Sequence, residues 1–230
     1  MTTVFLIRHG LTRQTGTMLY GRTSGIPLDH RGRAQAERLA VRFDGVKLTA
    51  LYSSPLERCV QTVGPLAAVQ RLHPEEREAL IEMDAGTWTG KPLKRLRHLK
   101  AWKEVQTSPS TFRFPGGESF VEARDRVVTE IERIAKRHRH GRVAVATHGD
   151  IVRVLMNHYS GAPIDAFQRM VADTASVSVV AIGGGQAAVL LVNDTVGALR
   201  RFGPGQVDAP WEVGADAIAA GGPPRKNLRG

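Results

Sequence analysis

Val4-Phe5-Leu6-Ile7-Arg8-His9-Gly10 decides the reading of this chain. It is an apolar run, too short for a helix, that ends at a His-Gly pair. The same arrangement returns at Val143-Ala144-Val145-Ala146-Thr147-His148-Gly149. Continuous apolar runs of this length read as strands buried on both faces, as in a parallel sheet. Ala50-Leu51-Tyr52-Ser53 is shorter and similar.

Helical spacing follows each run. Ala36, Leu39, Ala40 and Phe43 recur at i, i+3, i+4 and i+7. Phe120, Val127, Val128, Ile131, Ile134 and Ala135 outline a longer helix, with Arg124 out of character on its apolar stripe. Ile151, Val152, Leu155, Met156 and Tyr159 outline another. Val177–Ile182 and Ala187–Val192 flank Gly183-Gly184-Gly185-Gln186 and read as a hairpin. Strands alternating with helices predict an α/β fold in three layers. Its central sheet is mostly parallel with one antiparallel edge strand, and helices cover both faces. The segment Arg71–Gly117 interrupts the alternation and carries Trp88, Trp102 and a short helix expected from about Leu93 to Val105. Such an excursion is expected to lie over the functional end. Gly64-Pro65 falls inside the helix expected after the second strand and predicts a kink or break there.

The chain has 230 residues, enough for one sizeable domain. With 42% hydrophobic and 23% charged residues it is not a disordered polymer. We assign residues 1–202 to the folded domain. Residues 203–230, rich in Gly, Pro and Ala, read as a tail that orders only where Trp211 docks. No apolar run approaches the roughly 20 residues that span a bilayer, and the N-terminus lacks the basic n-region of a signal peptide. One cysteine, Cys59, excludes an intrachain disulfide, so a cytoplasmic location is expected. The net charge is +10, all of it within residues 1–202. That excess suits an anionic substrate, contact with nucleic acid, or a basic solvated surface.

Three strand ends carry groups that can meet an anion. Arg8 and His9 end the first run, at the carboxyl edge where α/β sheets bind ligands. Gly10 is expected to turn the chain sharply there and leave the His9 ring open. Ser53-Ser54-Pro55-Leu56-Glu57-Arg58 ends the second. There Ser54 and Glu57 read as a capping box, with Pro55 at the first helical position. Arg58 then falls in the first turn, beside free N–H groups. Thr147-His148-Gly149-Asp150 ends the third and opens a helix. Turnover also needs a proton donor. Glu82 lies among Leu80, Ile81 and Met83, whose apolar company should raise its pKa. Asp84 is the alternative carboxylate.

Taken together these pieces resemble the histidine phosphatase superfamily, with its phosphoglycerate mutase-like fold. The matching motifs are Arg8-His9-Gly10, Ser-x-Pro-Leu-x-Arg at 53–58, Glu-x-x-x-Gly-x-Trp-x-Gly at 82–90, Gly116-Gly117-Glu118-Ser119 and Thr147-His148-Gly149. They stand in family order and span about residues 1–195. Within the superfamily the chain looks nearest to actinobacterial proteins described as probable phosphomutases or phosphatases. The resemblance implies that His9 is the nucleophile and becomes phosphohistidine. Arg8, Arg58 and His148, with Gly149, would hold the phosphoryl oxygens, and Glu82 would protonate the leaving oxygen. Thr12 sits where the family often has a Ser or Thr near the phosphate, and Thr15 where the mutases have an Asn. Glu118 and Ser119 would stand behind the groups that touch substrate.

The expected activity is hydrolysis of small phosphate monoesters, with no metal and no cofactor, since ligand clusters for Mg²⁺ or Zn²⁺ are absent from the sequence. A cofactor-dependent phosphoglycerate mutase is the alternative. The His-Tyr pair that follows the mutase Glu is Met83-Asp84 here, and no Arg-Arg pair occurs between 82 and 118. A non-catalytic basic module binding RNA or a protein would not need His9, Arg8, Arg58, Glu82 and His148 together. The partner expected is a small phosphorylated substrate, not a membrane or nucleic acid. The oligomeric state is not fixed, and a homodimer is compatible with the sequence. Lys91, Lys94, Arg95, Arg97, Lys100 and Lys103 read as a solvated or anion-attracting rim. His138 and His140 read as a basic helix end, and Cys59 as a buried, inert thiol.

Overall fold

Residues in β1 (Thr2–Arg8) alternate between two cores. Val4 and Leu6 face one, Phe5 and Ile7 the other, and all four are fully buried. This is the two-sided burial that the unbroken apolar run predicts. A computed structural model describes residues 1–203. All of the expected tail except Gly203, including Trp211, lies outside the described residues.

The remaining strands are β2 (Met18–Leu19), β3 (Ala50–Ser53), β4 (Glu75–Glu76), β5 (Lys91–Pro92), β6 (Arg142–Thr147), β7 (Val177–Gly183) and β8 (Gln186–Asp194). Five of them join β1 in one six-stranded sheet in the order β4-β3-β6-β1-β7-β8. β4, β3, β6 and β1 run parallel, β7 runs against β1, and β8 runs against β7. The expected hairpin thus forms the antiparallel end of the sheet. β2 and β5 make a separate two-stranded ribbon.

Helices α1 (His30–Arg42) and α2 (Glu57–Gln70) cover one face. On the other lie α5 (Phe120–Arg137) and α6 (Gly149–Tyr159). α3 (Leu93–Leu96) and α4 (Lys100–Thr107) belong to the excursion. Among the described residues no helix is long and apolar enough to cross a membrane.

Three local expectations need correction. α2 starts at Glu57 behind Leu56, without a side-chain cap, so Ser54 and Glu57 form no capping box and Pro55 lies outside the helix. The Ser54 hydroxyl is engaged by His148 instead, at 2.8 Å from Nε2. Pro65 does not break α2, which is continuous from Glu57 to Gln70. Burial of Thr62, Val63, Leu66 and Ala67 holds both halves to the sheet and offsets the roughly 3 kcal/mol cost of an interior proline. Finally, the helix expected near Leu93–Val105 is two helices. Leu96 and Trp102 are six positions apart, about 240° around a straight helix, so one rod could not turn both inward.

Candidate active site

The parallel register sets the frame. Arg8 pairs with Thr147, and Ser53 with Ala146, so three adjacent strands end level. His9 N–H donates to the Thr147 carbonyl (2.9 Å), and Ser54 N–H to the Ala146 carbonyl (2.9 Å). His9, Ser54 and His148 therefore stand side by side at the carboxyl edge. The His9 and His148 rings lie edge to face, with centroids 5.4 Å apart.

Two glycines make this packing fit. A Cβ on Gly10 would come within 2.9 Å of the Gly32 carbonyl, and one on Gly32 within 2.0 Å of the Leu11 carbonyl. Gly10 is thus required for the close approach of α1 and not for a sharp turn. A Cβ on Gly149 would meet the Arg8 guanidinium at 3.0 Å from Nε, so Gly149 clears the space in which Arg8 lies.

His9 is buried, and its Nδ1–H donates to the Gly10 carbonyl at 2.7 Å. That bond fixes the tautomer and leaves the lone pair on Nε2. Burial, followed by the charges of Arg8 and Arg58, lowers the His9 pKa to about 3. The ring is therefore a free base at neutral pH. His148 is fully buried and held well below the usual imidazole range by burial and then by Arg58, His9 and Arg8.

Both guanidiniums are anchored by backbone carbonyls. Arg8 Nη1 donates to Ala172 (2.6 Å). Arg58 donates from Nη2 to Gly21 (2.7 Å) and from Nη1 to Thr23 (3.1 Å), with its guanidinium 4.8 Å from the Tyr20 ring centroid. Their Nε–H groups are buried and pair with no protein atom. Buried unpaired donors on two neighbouring cations are what an anion would satisfy.

Glu82 lines the same cavity as Arg8, His9 and Gly149, whereas Arg58 and His148 are not part of its lining. The Glu82 pKa is raised to about 8, first by burial and then by the charge of Asp150. The Met83 N–H, Arg58 and Arg8 oppose this less strongly. Four consecutive carbonyls hold its segment in place. Arg126 donates to Ala79 and Ile81, Thr147 Oγ1 to Leu80 at 2.6 Å, and Arg22 Nε to Glu82 itself at 2.8 Å. Glu118 ties the two arginines together, accepting from Arg126 at 2.9 Å and from Arg22 at 3.1 Å. Ser119 caps α5 in a true capping box with Glu122. Thr12 and Thr15 bond to each other (Oγ1–Oγ1 3.0 Å) and do not line the cavity. Asp84 also lies outside the lining, accepting from Gly86 N–H.

Sequence reading gave no role to Asp150, Tyr20, Arg22 or Arg126. Asp150 carried one available signal, an acid in the first turn of a helix that opens at His148. Removing its charge should lower the Glu82 pKa. We therefore expect Asp150→Asn to move the alkaline limb of kcat/KM for an alkyl phosphate toward lower pH. An unmoved limb would show that Asp150 does not act on Glu82. Cys59 is buried, its pKa pushed up to about 12 by burial, and its Sγ lies 3.5 Å from His148 Nε2. His138 follows the last turn of α5 and bonds to the Tyr52 hydroxyl at 2.8 Å.

A strand-end histidine pair, two anchored guanidiniums and a carboxyl of raised pKa are groups of the kind that phosphoryl transfer uses. The sequence model of the histidine phosphatase superfamily, branch 1, matches residues 4–195, and the chain belongs to that superfamily. Phosphoserine phosphatase 1 of Hydrogenobacter thermophilus is 28% identical over 197 residues, 85% of this chain and 93% of the relative. Rv0525, an uncharacterised protein of Mycobacterium tuberculosis, is 29% identical over 150 residues, 64% of this chain and 73% of the relative. Among solved structures, YhfR of Bacillus stearothermophilus matches with a TM-score of 0.79 at 26% identity, covering 85% of this chain and 100% of that one.

Proposed function

We propose that the protein hydrolyses phosphate monoesters of small metabolites through a phosphohistidine at His9. The observation that carries this reading is geometric: His9, its Nδ1 held by the Gly10 carbonyl and its Nε2 lone pair left over, lines one cavity with Arg8 and the Glu82 carboxyl. In the first step His9 Nε2 bonds to phosphorus as the bond to the leaving oxygen breaks, and that oxygen takes the Glu82 proton. The imidazolium so formed keeps its Nδ1–H on the Gly10 carbonyl. In the second step Glu82 carboxylate takes a proton from water, the water oxygen bonds to phosphorus, and the bond to Nε2 breaks. Arg8 and Arg58 neutralise the equatorial oxygens, and an arriving dianion favours protonation of His148. Gly149 lets Arg8 approach, and Thr12 and Thr15 brace the loop after His9. Glu118 and Ser119 act behind the site, Glu118 through Arg22 and Arg126. The chemistry calls for neither metal nor cofactor, and a reducing cytoplasm suits the single buried thiol. Against the mutase alternative, no Arg-Arg pair stands between 82 and 118, where the resemblance to mutases would call for one to grip a substrate carboxylate.

The reading is tested by phosphate release from a panel of phosphorylated metabolites, together with anion binding. Arg58→Ala removes one of the two cations whose charge acts on His9. A charge-assisted hydrogen bond is worth roughly 1.5–3 kcal/mol, so vanadate should bind about 10–100-fold more weakly. Lys94 is exposed and outside the cavity, and at physiological salt exposed charges are screened over roughly 8 Å. Lys94→Ala should stay within about twofold of wild type by titration calorimetry. Equal losses for the two would mean that the anion binds elsewhere.

A further inference from the structure

The cavity that holds Arg8, His9 and Glu82 continues well beyond them. Its volume is about 560 Å³, inside the roughly 300–1,000 Å³ range of sites for drug-sized ligands. A phosphoryl group and a short polar alcohol would fill little of it. Leu19, Leu93, Trp102, Val105, Phe114 and Phe167 line the remainder.

Several of these rings form one rigid wall. Trp102 stacks on Trp88 at 6.1 Å between centroids (interplanar angle 21°), and Trp88 meets Phe114 edge to face at 5.6 Å. Phe114 stacks on Phe120 at 5.8 Å, and Phe120 meets Phe167 at 4.9 Å. Trp88, Phe114, Phe120 and Phe167 are buried and belong to the main core, so the wall is preformed. Polar groups along this wall are engaged elsewhere. Arg153 Nε donates to the Met170 carbonyl at 2.7 Å, and the guanidinium lies over the Phe167 ring at 4.9 Å. Gln168 Nε2 donates to the Val105 carbonyl at 3.4 Å. Asp150, Arg153 and Gln168 share the lining with the apolar side chains of Leu19, Leu93, Trp102 and Phe114. Arg97 and Gln106, both exposed, complete the lining.

Resting on the phosphatase reading, we infer that the preferred substrates are phosphate monoesters whose leaving alcohol carries a flat apolar or aromatic body, which packs against the Trp102–Phe114–Phe167 wall. Phosphates of small polar alcohols and amino acids leave the exposed parts of Leu19, Leu93 and Trp102 wetted and are poorer substrates. Apolar surface removed from water on binding supplies the preference.

The test compares two esters with primary alkoxide leaving groups of similar basicity, 2-(1-naphthyl)ethyl phosphate and ethyl phosphate. Their chemistry at phosphorus is matched, so a difference in kcat/KM reports the cavity. We expect the full-length protein to favour the naphthyl ester by at least ~100-fold. Trp102→Ala and, separately, Leu93→Ala should each reduce that ratio, the first by about tenfold or more. Leu93 is half-buried at the start of a short helix, so its variant serves if Trp102→Ala fails to fold. A ratio within threefold of unity, a preference for phosphoserine over the naphthyl ester, or a ratio unmoved by both variants would overturn the inference. Hydrolysis of ethyl phosphate without preference leaves the phosphatase reading intact. If neither ester releases phosphate and His9 is never phosphorylated, the phosphatase reading fails, and this inference with it.

Discussion

His9→Ala is expected to reduce phosphate release by at least about 10⁴-fold, since removing a covalent nucleophile costs up to ~10⁶ where later steps depend on it. Binding of inorganic phosphate should survive. Arg8 and Arg58 are held by the carbonyls of Ala172, Gly21 and Thr23, none of which His9 supplies. Alanine also removes the ring that burial and two cations keep unprotonated, so no other group at this strand end can attack phosphorus in its place. His148 is the nearest imidazole, but its Nε2 is occupied by Ser54 at 2.8 Å and its ring is fully buried. Steady-state phosphate release and calorimetric titration with inorganic phosphate check the two halves of the prediction. Activity within about tenfold of wild type, a loss of only ~1.4 kcal/mol of transition-state stabilisation, would remove His9 from its role.

Glu82→Gln should separate substrates by their leaving groups. Glutamine keeps the size of the side chain but neither gives a proton to the leaving oxygen nor takes one from water. An alkoxide leaves badly without that proton, and p-nitrophenolate leaves well. General acid help is worth about 10²–10⁴-fold, so activity toward alkyl phosphates should fall by that much more than toward p-nitrophenyl phosphate when phosphorylation of His9 limits the rate. If dephosphorylation limits, both fall together and phosphohistidine accumulates. The sign of the pH dependence follows from the raised pKa. The protonated form of Glu82 dominates below about pH 8 and is lost as the pH rises through it. Wild-type kcat/KM for alkyl phosphates should therefore decline above pH 8, and the variant should lose that limb. Asp84→Asn should be nearly silent, because Asp84 accepts from Gly86 N–H at 2.9 Å and lies outside the cavity. The reverse pattern would mean that Asp84 is the acid.

The site was legible where it is built by strands. Val4–Ile7 and Val143–Ala146 advertise buried parallel strands by composition alone, and the His-Gly pairs mark their carboxyl ends. Glu82 was legible through its apolar neighbours. What escaped is built by contacts between segments far apart in sequence. Arg22 and Arg126 reach the Glu82 segment from a loop and from α5, across sequence separations of 60 and 45 to 47 residues. No local pattern encodes such a contact. Ser54 illustrates a competition that sequence cannot resolve. Its hydroxyl suits a capping box, yet the buried His148 imidazole needs a partner more than an accessible helix end does. Pro65 was misread for a similar reason, since tertiary packing of Val63 and Leu66 outweighs a local breaker. The Arg71–Gly117 excursion lines the cavity with Leu93, Trp102, Val105 and Phe114, but its aromatic wall links Trp88 to Phe167, about 80 residues on, through Phe114 and Phe120.

The stereochemistry of transfer at phosphorus tests the central claim most directly. A phosphorothioate monoester made chiral at phosphorus with two oxygen isotopes is hydrolysed in water carrying the third isotope, and the configuration of the released inorganic thiophosphate is determined. Each in-line displacement inverts phosphorus, so transfer to His9 followed by transfer to water gives net retention. The outcome does not depend on which step limits the rate. Retention is the predicted result. Inversion would mean that water attacks the substrate directly and that no phosphohistidine lies on the path.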